Sequence, residues 1–347
     1  MAEVLGLGKV SREVFRRSVL PFIPLDKELE LDGATVKLTE RTVIAHSPSI
    51  GVPLEALGFF AFHYAASNVA CRFGRPTHMI TGIYLPLRTR ERDLKTIAKG
   101  LGDEAKKYGV AIAAGQTATY YGLEIPFVST TCLGEQLRQV GKPREGDVVF
   151  VAGEVGGEAA WLTSLSRGIS DQRWRNLTAL PTILSLQDVE GVKLLHDVSE
   201  GGVKGALMEV LESLGLSLNF RSGDVAYAEG TEKLNQDLLR APTYGALIII
   251  AEPDSTGKVV RACAERGVQV SRLGSLKGGS GLFVDGEVVS EKTRIELDEL
   301  YGSFRRLDET EDAVRVALDE LEQIEGAGRL VPEVGLNMVY TKPEPSG

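Results

Sequence analysis

Leu194-Leu195-His196-Asp197-Val198-Ser199-Glu200-Gly201-Gly202 places an imidazole, two carboxylates, a hydroxyl and a glycine pair within nine residues. Such a set can move a proton, hold a cation or seat an anion. His196 can carry a proton near neutral pH, or serve only as a structural residue beside a strand end. Asp197 and Glu200 can ligate a metal, or sit at a helix start where the dipole favours carboxylates. Gly201 and Gly202 at a helix N-terminus would let an anion approach free backbone N–H groups. The plainer alternative is a tight strand-to-helix turn that needs glycine for its backbone angles.

The flanking residues supply the elements that would position this set. Val203, Ala206, Leu207, Val210, Leu211 and Leu214 fall at i, i+3, i+4, i+7, i+8 and i+11, one face of an α-helix. Ser199 or Asp197 can cap its start and Gly215 can close its end. Upstream, strands are predicted over Ala34–Leu38 and Thr42–His46. A long apolar helix then runs from Pro53 through Arg72, ended by Gly74 and Pro76. Ile80–Leu85 reads as a strand, and Glu91–Tyr108 as a helix with Leu94, Ile97, Ala98, Leu101 and Ala105 on one face. Val110–Ala114 and Ile125–Leu133 read as further strands.

Gly141-Lys142-Pro143-Arg144-Glu145-Gly146 is the best candidate for a domain boundary. A second α/β unit follows, with helices near Glu158–Leu165, after Gly202 and over Ser255–Arg266, and a strand over Ala246–Ala251. Gly278-Gly279-Ser280-Gly281 resembles a phosphate loop, but no helix follows it, so it reads as structural. The Asp285-Gly286 pair behind it reads as a hairpin turn. A last amphipathic helix is expected over Asp312–Leu321, and a frayed tail over Thr341–Gly347.

Composition narrows the class. A chain of 347 residues is expected to hold two domains, and 43% hydrophobic content can fill their cores. No apolar run approaches the ~20 residues that span a bilayer, and Met1–Arg17 lacks a signal-peptide core, so no membrane partner and a cytoplasmic location are expected. A net charge of −9 argues against nonspecific nucleic-acid binding. Cys71, Cys132 and Cys263 have neither CxxC spacing nor a companion His cluster, so they read as buried or free thiols.

His196-Asp197-Val198-Ser199-Glu200-Gly201-Gly202 resembles the phosphate-side motif of the aminoimidazole ribonucleotide (AIR) synthetase superfamily. That group includes formylglycinamide ribonucleotide amidotransferase, selenophosphate synthetase, thiamine-monophosphate kinase and a hydrogenase maturation protein. The resemblance extends to Gly146–Gly156 and Pro242–Ile250, and to Ser67–Pro76, which matches the spacing of an Asn-Asp…Gly-Ala-x-Pro motif. It implies a two-domain α/β fold, with residues 1–140 as a dimer-forming β-barrel half on the nucleotide side and 146–340 as a C-terminal α/β domain. It also implies a homodimer that binds a nucleotide or phosphorylated small molecule. ATP and Mg²⁺ are the cofactors of such chemistry, in which ATP phosphorylates a substrate oxygen.

The sequence departs from this pattern where the superfamily places its metal-binding carboxylates. Ser47 stands at the first Asp, Asn68 at the Asp of Asn-Asp, and Gln116 at the Asp or Glu of the Gly-Asp-Thr loop. Hydroxyls and amides lack the formal charge that offsets a divalent cation among phosphates, which puts Mg²⁺ in doubt and leaves the metal ligands unassigned. The three also read as polar residues satisfying local hydrogen bonds. In relatives a Gly-rich leader carries a cation over the phosphates; Gly6, Gly8 and Lys9 fit that part, and equally a frayed terminus with an exposed lysine.

The hydrogenase maturation relative works through a C-terminal Cys, whereas the last Cys here is Cys263, so that carrier chemistry is not expected. The leader carries no Cys, which argues against selenophosphate synthesis. Gln116 in turn argues against AIR synthesis itself. Two function classes stay open. One is an ATP-dependent ligase or phosphotransferase with a remodelled metal site. The other is a non-catalytic homodimeric ligand sensor or partner-binding scaffold.

Overall fold

The first half of the chain builds a five-stranded sheet backed by two long helices. The structure, a computed structural model, describes residues 5, 8–9, 12–24, 38–199, 201–234 and 237–289. In chain order the first half comprises β1 (Gly8–Lys9), α1 (Arg12–Ser18), β2 (Thr42–Ile50), α2 (Leu54–Cys71), β3 (Gly74–Pro86), α3 (Glu91–Tyr108), β4 (Ala111–Tyr120) and β5 (Phe127–Gln136). The sheet order is β1-β4-β3-β5-β2, with β3 and β4 parallel and the other pairs antiparallel.

α2 is almost wholly apolar because it is buried between the sheet and α3. Glycine allows the two helices to touch: a Cβ on Gly58 would lie 2.3 Å from the Ile97 carbonyl oxygen. α3 is amphipathic with the predicted buried face, and Gly109 in the left-handed conformation (φ 67°) closes it.

Ladder partners share a face of a sheet, so the register sorts the side chains. Ser47, Thr130, Thr81 and Gly115 form one row across four strands, and the next row is Pro48, Ser129, Gly82 and Gln116. The Thr130 hydroxyl donates to the Ala61 carbonyl, which puts the Ser47 row on the α2 side. The Gln116 row is therefore on the opposite face, together with exposed Ile44, Ile50, Ile80 and Tyr120.

The second half contains β6 (Val148–Ala152), α4 (Gly157–Ser166), α5 (Leu180–Leu186), β7 (Val192–Asp197), α6 (Gly202–Leu214), β8 (Leu216–Phe220), β9 (Leu247–Ala251), α7 (Thr256–Ala264), β10 (Val270–Ser275), β11 (Lys277–Gly278), β12 (Gly281–Val284) and β13 (Glu287–Val288). One antiparallel sheet has the order β10-β6-β9-β7 and a smaller one the order β11-β8-β12-β13. Every residue of β6 and β9 is buried, which explains their unbroken apolar sequences. Asp285 (φ 54°) and Gly286 (φ 86°) make the hairpin turn between β12 and β13.

The helices follow the expected bounds closely, while the strands of the first half run longer than expected. β3 begins at Gly74 and carries Pro76, tolerated where the pairing with β5 shifts register between Pro76 and His78. α7 covers less than Ser255–Arg266 because Pro253–Ser255 form a separate 3₁₀ turn. The strand expected at Ala34–Leu38, apart from Leu38, the helix at Asp312–Leu321 and the tail Thr341–Gly347 lie outside the described residues. Among those described, no helix is long and apolar enough to cross a membrane.

Candidate functional site

A cleft of about 370 Å³ opens where β2 and the end of α2 meet β7 and α6. Asn68 and Arg72 reach it from α2, His196 and Asp197 from β7, and Glu209 from α6, against a wall that includes Ile44 and Leu195. β7 lies beside β9 at the edge of its sheet, so its last residues emerge at the cleft rather than in the core. Of the residues singled out in the sequence, the structure brings Asn68, His196 and Asp197 together here, while Arg72 and Glu209 had not been singled out.

The cleft mixes charges at close range. His196 Nε2 lies 3.4 Å from Glu209 Oε2. The Asp197 carboxyl is raised above its ordinary pKa, chiefly because burial penalises the anion; Glu209 raises it further, whereas His196 lowers it. Cys71 sits beside it, with its thiol pushed well up by burial and by the Asp197 charge. Behind them the Tyr244 hydroxyl contacts Ser67 Oγ at 3.2 Å, and its backbone N–H donates to the buried Glu158 carboxylate at 2.8 Å.

The start of α6 differs from the expected capped turn. Gly201 is the N-cap, and no side chain caps the helix, so neither Ser199 nor Asp197 fills that role. The turn of residues 239–241 is laid across the helix end instead. The Lys204 N–H donates to the Leu239 carbonyl (2.9 Å) and the Gly202 N–H to the Ser199 carbonyl (3.0 Å). Gly202 has φ +59°, and a Cβ there would lie 2.6–2.8 Å from the carbonyl groups of Leu239, Arg240 and Ala241. The glycine pair serves close backbone packing and the turn angle. Glu200 lies outside the described residues.

Ser47, Asn68 and Gln116 do not form one cluster within the chain. Asn68 Nδ2 donates to Ser47 Oγ at 3.2 Å. Gln116 lies on β4, with β3 and β5 between it and β2 and on the other sheet face. Three strand spacings of ~4.8 Å put it roughly 14 Å away laterally. The leader is also on that far edge: Gly8 and Lys9 pair with Thr119 and Ala118 of β4, which excludes a frayed chain at those two residues. Gly6 lies outside the described residues.

A magnesium ion, which this family pattern would imply, finds no matching donors in this set. A hydroxyl bonded to an amide, and a second amide on the opposite sheet face, offer no converging charged oxygens. Among the described residues, no three His, Cys, Asp or Glu side chains are grouped so as to hold a metal ion.

Comparison with known proteins fits this arrangement of two α/β segments around a shared cleft. Residues 31–136 match the N-terminal domain of AIR synthase related proteins, and residues 144–287 match the C-terminal domain. The chain therefore belongs to the AIR synthase related protein family, and its architecture is the two-segment α/β fold of that family. It is 26% identical over 265 residues to carbamoyl dehydratase HypE of Escherichia coli, covering 73% of this chain and 76% of that protein. It is 26% identical over 242 residues to thiamine-monophosphate kinase of Rhodopirellula baltica, covering 66% and 71% of the two chains. A crystal structure of hydrogenase maturation protein HypE in complex with ATP superposes with a TM-score of 0.72 at 18% identity, covering 83% of this chain and 96% of the other.

Proposed function

We propose that this chain binds ATP or another phosphorylated ligand in the cleft lined by Asn68, His196 and Asp197. The observation that carries this reading is the convergence itself. Asn68 belongs to the N-terminal family segment and His196 and Asp197 to the C-terminal one, yet all three line one cavity. Similarity to a protein solved with ATP and to a kinase of a phosphorylated substrate supports the same ligand class. If the protein is an enzyme, the reaction class is an ATP-dependent ligation or phosphotransfer onto a substrate oxygen, with His196 as the catalytic candidate in this cleft and Lys9, on the far edge of the sheet, as one that would act only from a second copy. Ser47, bonded to Asn68, and Ser199, Glu200, Gly201 and Gly202, which follow Asp197 in the chain, complete the proposed binding set, whereas Gly8 and Gln116, across the sheet, would join it, with the leader residue Gly6, only from a second copy.

A non-catalytic sensor or scaffold is the second reading, favoured by the neutral and separated Ser47, Asn68 and Gln116. Calorimetric titration of ATP with Mg²⁺ present decides whether the ligand class is right: no heat at millimolar ATP contradicts it. Phosphate release from ATP, assayed alongside, separates enzyme from scaffold.

A homodimer and a cytoplasmic setting complete the reading. Ile44, Ile50, Ile80 and Tyr120 are 40–61% exposed on one face of the first sheet, a patch whose cover by a second copy would remove apolar surface from water.

A further inference from the structure

We infer that the cleft seats a phosphoryl group on Arg72 without a divalent cation. This rests on the ligand class proposed above and adds how the cleft supplies positive charge. Arg72 caps the C-terminal end of α2, is exposed, lines the cleft and has no ion pair among the described residues. A guanidinium carries permanent charge and a donor fork that matches phosphate oxygens.

The backbone that follows Arg72 is held tightly at the mouth of the cleft. Phe73 is fully buried with φ 55°, a conformation bulky residues rarely adopt. The Arg138 guanidinium lies 3.5 Å from the centre of its ring, and Arg138 is itself anchored by the Gln187 and Val192 carbonyls at 2.8 Å each. The Phe73 carbonyl accepts from the Leu137 N–H at 2.9 Å.

A helix C-terminus would ordinarily repel an anion. Here two of its last carbonyls are occupied: Val69 accepts from the Arg72 N–H, and Ala70 from the Phe73 N–H and from Gln187 Nε2. Two groups of the cleft complement a phosphorylated ligand. Burial raises the pKa of the Asp197 carboxyl, and Glu209 can accept from N–H or O–H groups of the ligand. The positions at which a metal would have been held offer it no charge, so Arg72 takes over that part.

The test titrates ATP by calorimetry into the whole protein in EDTA and again in Mg²⁺. The proteins are wild type, Arg72→Gln, Arg72→Lys and, as an exposed control outside the cleft, Arg167→Gln, each checked for folding by circular dichroism. Wild-type affinity in EDTA is expected within about threefold of that in Mg²⁺. Arg72→Gln should bind roughly 10- to 100-fold more weakly, the loss expected for a charge-assisted hydrogen bond. Arg72→Lys should fall between, and Arg167→Gln should match wild type. Binding only in Mg²⁺ overturns the inference and leaves the ligand class standing. Binding in neither condition overturns both. Unchanged EDTA binding by folded Arg72→Gln overturns the role of Arg72.

Discussion

Asn68, in the last turns of α2, donates its side-chain amide to the Ser47 hydroxyl of β2 at 3.2 Å. Two positions at which the family pattern implies charged metal ligands are thus joined by a neutral hydrogen bond. The bond ties helix to sheet at the edge of the cleft, and it uses one of the hydroxyl's two acceptor sites internally.

Restoring charge at this pair should create metal affinity where none is expected. Ser47→Asp with Asn68→Asp is predicted to bind Mg²⁺ more tightly than wild type in calorimetry. Adding Gln116→Glu should change that affinity by less than about twofold, since ~14 Å and a sheet separate it from the pair. A triple variant binding far more tightly than the double would show that Gln116 joins the site.

Gly202 and Gly205 should respond in opposite directions to alanine. Gly202→Ala forces a Cβ into backbone carbonyls at a positive φ and is expected to cost about 3 kcal/mol. Gly205 has open space around a Cβ and a helical backbone, so Gly205→Ala is expected to gain about 0.5–1 kcal/mol. Urea denaturation of the two variants checks the contrast.

Glu91 predicts an acid-sensitive clamp. Its buried carboxylate receives Arg17 Nε at 2.8 Å, Arg17 Nη2 at 3.0 Å and the Ser18 hydroxyl, with Lys95 Nζ at 3.1 Å. These partners, Arg17 foremost, lower its pKa from 4.5 to about 2. A depressed carboxylate stabilises the fold above its unfolded pKa and loses that contribution as pH falls through the folded value. Glu91→Gln should therefore be less stable than wild type at pH 7, by about 2 kcal/mol. The difference should shrink between pH 4.5 and 2, as followed by thermal melts across pH.

The three thiols should be silent in the folded protein. Cys71, Cys132 and Cys263 are buried, and burial raises Cys132 to about 12 and Cys263 to about 11. Ellman's reagent is expected to label none of them within minutes in buffer and all three in guanidinium. Rapid labelling of the native protein would mean that the α2 end or α7 opens readily.

The apolar sheet face predicts assembly. Light scattering behind a sizing column should report about twice the 37.4 kDa chain mass, and Ile44→Glu with Ile80→Glu should shift it to one chain mass. A wild-type monomer at tens of micromolar would contradict the homodimer.

Helices and their buried faces were readable because apolar spacing encodes them directly: Leu94, Ile97, Ala98, Leu101 and Ala105 mark α3 from sequence alone. The meeting of Asn68 with His196 and Asp197 was readable only as family motifs. What eluded the sequence depends on register. Ser47 and Gln116 are separated by strand parity and sheet order, neither of which a single strand reveals. Ser199 looked like a cap because a hydroxyl before a helix often is one, but the long-range crossing of residues 239–241 took that end. Arg72 carried no signal beyond a charge at a helix end, and Glu209 none beyond an exposed position on an amphipathic helix.

Hydrogen–deuterium exchange with and without ATP tests the central claim most directly, because it reports where the ligand sits without altering any residue. Slower exchange is expected in segments 43–47, 68–73, 193–198 and 206–213, which carry the cleft residues. Exchange in segment 219–224, which lines a separate surface depression with Asp285, should stay unchanged. Protection confined to that depression, or no protection at saturating ATP, would contradict a nucleotide seated between Asn68 and His196.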